Sequence, residues 1–228
     1  MALLKAADAK KVREHLESLK NPVRVVVFTD SRECAYCDET AGLVEEVASL
    51  SPQVAFERHD LATEPALAEL YRVDRAPGIA IVQESAAGAP ARDFGVRFSG
   101  IPSGYEFTTF IEALILVSNG QAPLSRELAE WVGSLEKPVR LQVFVTPTCP
   151  YCPQMVHLAH KLAVASDLVS AEGVEATEFP ELANRYSVYG VPRTVIEVAG
   201  GGEVHVEGAV PETRLLAELR KAVGASGG

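Results

Sequence analysis

The chain has 228 residues, 47% of them hydrophobic and 23% charged, with a formal net charge of −10. That length suits one large domain or two small ones of about 110 residues, and the apolar share is enough for a packed core in either arrangement. The negative balance argues against non-specific nucleic-acid binding and against anionic membrane surfaces. No run of about 18 apolar residues predicts a spanning helix.

In chain order, residues 5–20 open the pattern. Leu4, Ala7, Val12, Leu16 and Leu19 fall on one helical face. Charges are spread through this stretch, so it does not read as a secretory signal, and a cytoplasmic location is the default expectation. A buried strand follows at 23–29, then a helix opened by a cysteine pair at 35–50 and a second strand at 53–59. A short helix is expected at 64–72, a hairpin of 79–84 with 94–99, and a closing helix at 103–118. The stretch SNGQAPLS (118–125) then breaks the pattern, with Gly120 marking a helix stop and Pro123 a turn.

After this break the same order returns: helix 125–136, strand 139–145, helix 150–165, strand 168–175, helix 179–187, hairpin 194–199 with 203–207, and helix 211–223. VRVVVFTDSRECAYC from Val23 matches VRLQVFVTPTCPYC from Val139, and LAELYRVDRAPGIAIV (67–82) matches LANRYSVYGVPRTVIEV (182–198). Cys34, Cys37 and Pro77 each precede Cys149, Cys152 and Pro192 by 115 positions. FGVRFSGIP (94–102) matches VHVEGAVP (204–211) at an offset near 108, so the first copy carries a longer turn around ESAAGAPARD (84–93). Internal duplication accounts for the pattern. The expected units are 1–119 and 120–228, each a mixed sheet flanked by helices, packed together because the connection is short. The final GASGG reads as a frayed tail.

The four cysteines carry the chemistry. Each pair follows a strand, and the first cysteine stands at a helix N-terminus, where unpaired N–H groups and the helix dipole stabilise a thiolate. Such settings lower a cysteine pKa from about 8.5 to roughly 3.5–7.5. Cys34 and Cys149 are the expected nucleophiles. Cys37 and Cys152, one turn behind, would resolve the mixed disulfide. Two other readings compete. A four-cysteine zinc site usually separates its pairs by about 15–20 residues, whereas 111 residues lie between Cys37 and Cys149. Inert structural bridges would close such short loops that they constrain the unfolded chain little.

A strand, a Cys-x-x-Cys at a helix start and a proline before a later strand together resemble the thioredoxin superfamily, and CPYC is the dithiol common in glutaredoxins. The duplication with both dithiols intact is most similar to the protein disulfide oxidoreductases of thermophilic bacteria and archaea. The resemblance implies an α/β fold of two tandem thioredoxin-like units and thiol–disulfide exchange with protein disulfides and dithiols. It implies no metal or bound cofactor, and a thioredoxin-reductase-like flavoprotein as electron donor. It implies that Pro77 and Pro192 are cis and face the cysteines, and that the backbones of Ala76 and Val191 bind substrate as an added strand. The alternative resemblance is to an electron-relay module, the N-terminal domain of the flavoprotein subunit of alkyl hydroperoxide reductase. In that family the first dithiol is typically lost, so Cys34 and Cys37 count against it.

Some features depart from the superfamily. The position before the first cysteine, usually Trp, holds Glu33 or Thr148, and the only tryptophan, Trp131, suits core packing or a unit interface. The buried acid expected six residues before each first cysteine is replaced by Phe28 and Val143, so water or another group must move the proton. Asp30, Glu33, Asp38 and Glu39 ring the first pair, partly offset by Arg32, while the second pair has no adjacent charge. Like charges disfavour a thiolate, so Cys149 is expected to have the lower pKa. His157 and His160 read as surface or partly buried side chains rather than metal ligands, and His15, His59 and His205 show no partner in the sequence.

Overall fold

The computed structural model describes residues 3–85 and 90–225. Part of the expected 84–93 turn and the end of the expected tail lie outside the described residues. The first half contains α1 (Ala6–Leu16), β1 (Val23–Thr29), α2 (Cys37–Ser49), β2 (Val54–Asp60), α3 (Pro65–Leu70), β3 (Gly78–Gln83), β4 (Arg92–Ser99) and α4 (Glu106–Asn119). The second half repeats the order with α5 (Arg126–Gly133), β5 (Val139–Val145), α6 (Cys152–Ala165), β6 (Val169–Glu175), α7 (Pro180–Arg185), β7 (Arg193–Val198), β8 (Gly202–Glu207) and α8 (Glu212–Ala225). The elements match the expected ones, with ends shifted by a few residues in either direction. Helices α2 and α6 begin at the second cysteine of each pair, because the preceding residues form the loop that the disulfide closes.

The two halves do not keep separate sheets. Their strands form one eight-stranded sheet in the order β2-β1-β3-β4-β6-β5-β7-β8. The joint is a parallel pairing of Val96–Ser99 on β4 with Ala171–Val174 on β6. Small residues permit it. Gly95, at φ +76°, lies against Val169 and Ser170, where a side chain would crowd the backbone. Gly173 leaves room for Phe98 and Val156. Strands β2 and β6 occupy the same place in the repeat, yet β2 is a half-exposed edge and β6 is buried along its length.

The faces of this sheet are unequal. The main core gathers the inner residues of α1, α2, α4, α5, α6 and α8 against one face, with Val25, Val27, Ile79, Ile81, Phe98, Leu141 and Val143 beneath them. Among the described residues the other face carries α3, over Val26, Phe28 and Ala80, and α7, over Phe144, Val174 and Val195. Helix α4 lies at the seam and is buried on most sides, with Phe110 edge-on to Phe98. Trp131 is half-buried on α5 and packs against the main core, one of the two structural places expected for it.

Between α3 and α7 the sheet floor is polar and opens into a groove of about 740 Å³. There Glu172 on β6 meets Arg75 of the first half at 2.7 Å and Arg140 at 3.0 Å, and accepts from Gln142 at 3.0 Å and from the Ser99 hydroxyl. Burial raises the cost of its charge, but the two arginines hold its carboxyl below the usual range. Arg24 and Arg140 are matched residues of the repeat. Arg24 pairs with Glu57 and Glu84 inside the first half, whereas Arg140 pairs across the seam with Asp74 at 3.8 Å.

Candidate active sites

Strand direction places the two cysteine pairs. β1 is antiparallel to β3 and β3 to β4, while β4, β6 and β5 run parallel. β1 and β5 therefore point the same way, and both cysteine loops leave the same end of the sheet. Four strand spacings separate them, about 19 Å. Ligands of one zinc ion lie about 2.3 Å from it, so the four cysteines do not form one zinc site. Among the described residues no group of three or more His, Cys, Asp and Glu is placed to hold a metal.

Each pair is closed as a disulfide with a Cα–Cα distance of 5.5 Å. At site one Cys34 is half-buried and Cys37 buried at the first position of α2. At site two both Cys149 and Cys152 are buried, and the Cys149 N–H donates to the Thr146 carbonyl at 3.1 Å. The Ala76–Pro77 and Val191–Pro192 peptides are cis. Gly78 faces Phe28 and Arg193 faces Phe144, so each proline stands beside the strand end from which a cysteine loop departs. The two proline carbonyls accept N–H groups from Gly100 and Gly208, each at 2.8 Å. The backbone groups of Ala76 and Val191 make no hydrogen bond among the described residues.

The surroundings differ more than the dithiols do. At site one Asp30 is clamped by Arg32 at 2.7 Å, which takes its carboxyl down to about 2, and Asp38 is paired with Arg58 at 2.6 Å. Glu33 and Glu39 form no ion pair among the described residues, so the acid ring is about half neutralised. Site two is not free of charge as its local sequence suggests. The first half reaches into it: the Tyr105 N–H donates to the Pro147 carbonyl at 2.9 Å, and Gly104, at φ +60°, packs so close to that carbonyl that a Cβ would collide. The next residue, Glu106, starts α4 beside α6. It is buried, and neither of its carboxyl oxygens finds a well-formed hydrogen bond. Burial pushes its carboxyl up to about 7, with Thr109 one turn along offsetting this slightly. A buried carboxyl titrating near 7 at the head of this helix pair is suited to hold a proton while a thiol is deprotonated. The sequence reading missed it because Glu106 lies 46 positions before Cys152 in the chain. Its only local signal is an acid in the first turn of a largely apolar helix. Glu178 of the second half behaves similarly near Glu39, raised to about 7 by burial, with Glu175 and Glu39 adding repulsion.

Four expectations about the histidines need correction. His15 Nδ1 lies 2.8 Å from the Lys11 carbonyl, His59 Nδ1 2.8 Å from Glu64, and His205 Nε2 2.8 Å from Glu203, so each has a partner. The helical spacing of His15 and Lys11 and the strand spacing of His205 and Glu203 were open to sequence reasoning, whereas Glu64 reaches His59 from the N-cap of α3. His157 pairs with Glu112 at 3.3 Å. His160, expected at the surface or partly buried, is instead fully buried edge-on to Phe98 because α6 packs this face onto β4, and burial drops its pKa to about 3.

The fold and the paired cis-proline and Cys-x-x-Cys sites define a class: this chain has two tandem thioredoxin-like folds. The family described as Thioredoxin domain matches residues 139–221. A solved structure of the alkylhydroperoxide reductase AhpF from Enterococcus faecalis is similar at 27% identity and a TM-score of 0.83, covering 96% of this chain and all of that one. A protein disulfide oxidoreductase from Aeropyrum pernix is similar at 26% identity and the same TM-score, covering 98% and 96%. Among curated proteins, the corresponding alkyl hydroperoxide reductase component of Pseudomonas putida is 25% identical over 90% of this chain. The chain spans about a third of the length of the curated relatives it matches, 36% for that protein.

Proposed function

We propose that the chain is a protein thiol–disulfide oxidoreductase. The observation that carries this reading is the repeated site: a dithiol closed at a helix start, beside a cis-proline whose preceding residue leaves its backbone groups unpaired. In the reductive direction the Cys34 or Cys149 thiolate attacks one sulfur of a substrate disulfide. A mixed disulfide forms and the other substrate sulfur leaves as a thiolate. Cys37 or Cys152, deprotonated, then attacks the cysteine half of that bond. The internal disulfide closes, the second substrate thiolate is released, and two electrons have passed to the substrate. Ala76 and Val191 pair with the substrate backbone as an added strand next to Pro77 and Pro192. At site two Glu106 takes the Cys152 proton. A thioredoxin-reductase-like flavoprotein returns two electrons, and a reducing compartment such as the cytoplasm suits the cycle. Residues 1–119 and 120–228 are read as the two units.

A second reading is an electron-relay module of an alkyl hydroperoxide reductase. It is favoured by the curated relatives, in which this chain corresponds to 36% of a longer protein. Redox titration of each pair against glutathione, with insulin reduction as the activity, tests the first reading. Turnover of insulin by either single-pair variant supports it. Two redox-active pairs that do not reduce insulin support the relay, and two inert bridges defeat both.

A further inference from the structure

Four exposed aromatic residues occur among the described residues: Tyr189 at 93% exposure, Tyr151 at 67%, Tyr105 at 54% and Tyr36 at 45%. Single exposed hydrophobic side chains are ordinary. Here all four fall in or beside the segments that build the two sites, and three of them belong to segments that meet at the loop before Cys149. Tyr151 lies between its cysteines. Tyr105 is delivered by the first half and held at Pro147 through its own N–H and the close packing of Gly104. Tyr189 stands in the loop before cis-Pro192, where with Thr146 and Val191 it lines a hollow of about 310 Å³.

Site one has no such frame. Tyr36 matches Tyr151, but the place of Tyr189 is taken by Asp74, which is tied to Arg75 at 2.8 Å and to Arg140 at 3.8 Å. The loop that would match Tyr105 turns to its own half, where the Val210 N–H meets the Met155 sulfur at 3.3 Å.

We propose that Tyr105, Tyr151 and Tyr189 frame Cys149 on three sides and select a disulfide-bearing polypeptide segment whose cysteine is flanked by apolar side chains. The inference rests on the oxidoreductase reading and deepens it. Tyrosine offers a large apolar body with a polar tip and few rotatable bonds, so it grips an apolar segment at low entropic cost. The neighbours Thr148, Pro150 and Pro153 add no charge, and the net charge of −10 opposes acidic segments. In this arrangement Tyr105 is a positioning residue that the first half lends to the site of the second.

The test uses the full chain with Cys34 and Cys37 both changed to Ser, so that only site two turns over. Two peptide disulfides are compared, one with phenylalanine and one with serine on both sides of the cysteine. The readout is the ratio of their kcat/KM values. The parent prefers the phenylalanine peptide, and Tyr105→Ala or Tyr189→Ala lowers that ratio by about three- to tenfold, through KM. Tyr105→Phe keeps the ratio, and so does Leu70→Ala, an equally exposed apolar residue on α3. Tyr151 stays in place because it is part of the dithiol loop. Equal losses on both peptides, or an unchanged ratio, overturn the proposal. Absence of turnover with either peptide in the parent overturns the oxidoreductase reading at site two, and the proposal with it, whereas insulin reduction by the variant holding only Cys34 and Cys37 keeps that reading for site one.

Discussion

The two dithiol sites share a loop length, a helix start and a cis-proline, yet they present opposite surfaces. Site one is more open and carries acids, two of them already neutralised by Arg32 and Arg58. Site two is buried at both cysteines, and its loop is met at Pro147 by Gly104 and Tyr105 of the first half. Duplication supplied equal chemistry. The shared sheet then made the sites unequal, because the seam brings the α4 start to one of them and has no equivalent element for the other. A repeated motif therefore does not predict repeated behaviour when its copies fuse asymmetrically.

The largest test of this contrast is loss of each nucleophile. Cys149→Ser is expected to remove most insulin reduction, by about a thousandfold for that site, while Cys34→Ser leaves more than half of the total. Equal losses would break the comparison. Next is the seam. Glu172→Ala leaves Arg75 and Arg140 without their shared partner and should cost about 3 kcal/mol in urea unfolding. A cost near zero would mean that the two halves hold together without the network.

Glu106→Gln separates charge from shape. The carboxyl rises from its ordinary 4.5 to about 7 on folding, so the stability linked to its neutral form is complete below about 4.5 and lost as pH rises to about 7. The wild type should lose up to about 3 kcal/mol from this group between those limits, with Glu178 adding a slope of the same sign. Glu106→Gln should flatten its share in unfolding curves at pH 5 and 8. It should also slow resolution at Cys152 without affecting Cys37. An unchanged slope would show that Glu106 is not held neutral. The smallest effect concerns the thiols. Iodoacetamide alkylation against pH, in variants holding one pair each, should give Cys149 the lower pKa. Glu33→Gln with Glu39→Gln should lower that of Cys34 by a few tenths of a unit, small because surface charges are screened. A lower value for Cys34 than for Cys149 in the unaltered sites would reverse the order.

The sequence by itself determined the elements and the reactive pairs. The β-branched apolar runs VRVVVFT and VRLQVFV read as strands buried on both faces, and their spacing to cysteine and proline placed the same device twice. Local pattern suffices for these features because strand burial, helix starts and the proline turn are set by neighbours within a few residues. Only the tertiary structure decided that the sheets merge through β4 and β6, that Asp38 is neutralised by Arg58, and that Gly104 and Tyr105 pack on Pro147 of the second cysteine loop. Those relations join residues tens of positions apart. They depend on how closely Gly95, Gly104 and Gly173 let backbones approach, a packing distance that no local periodicity encodes.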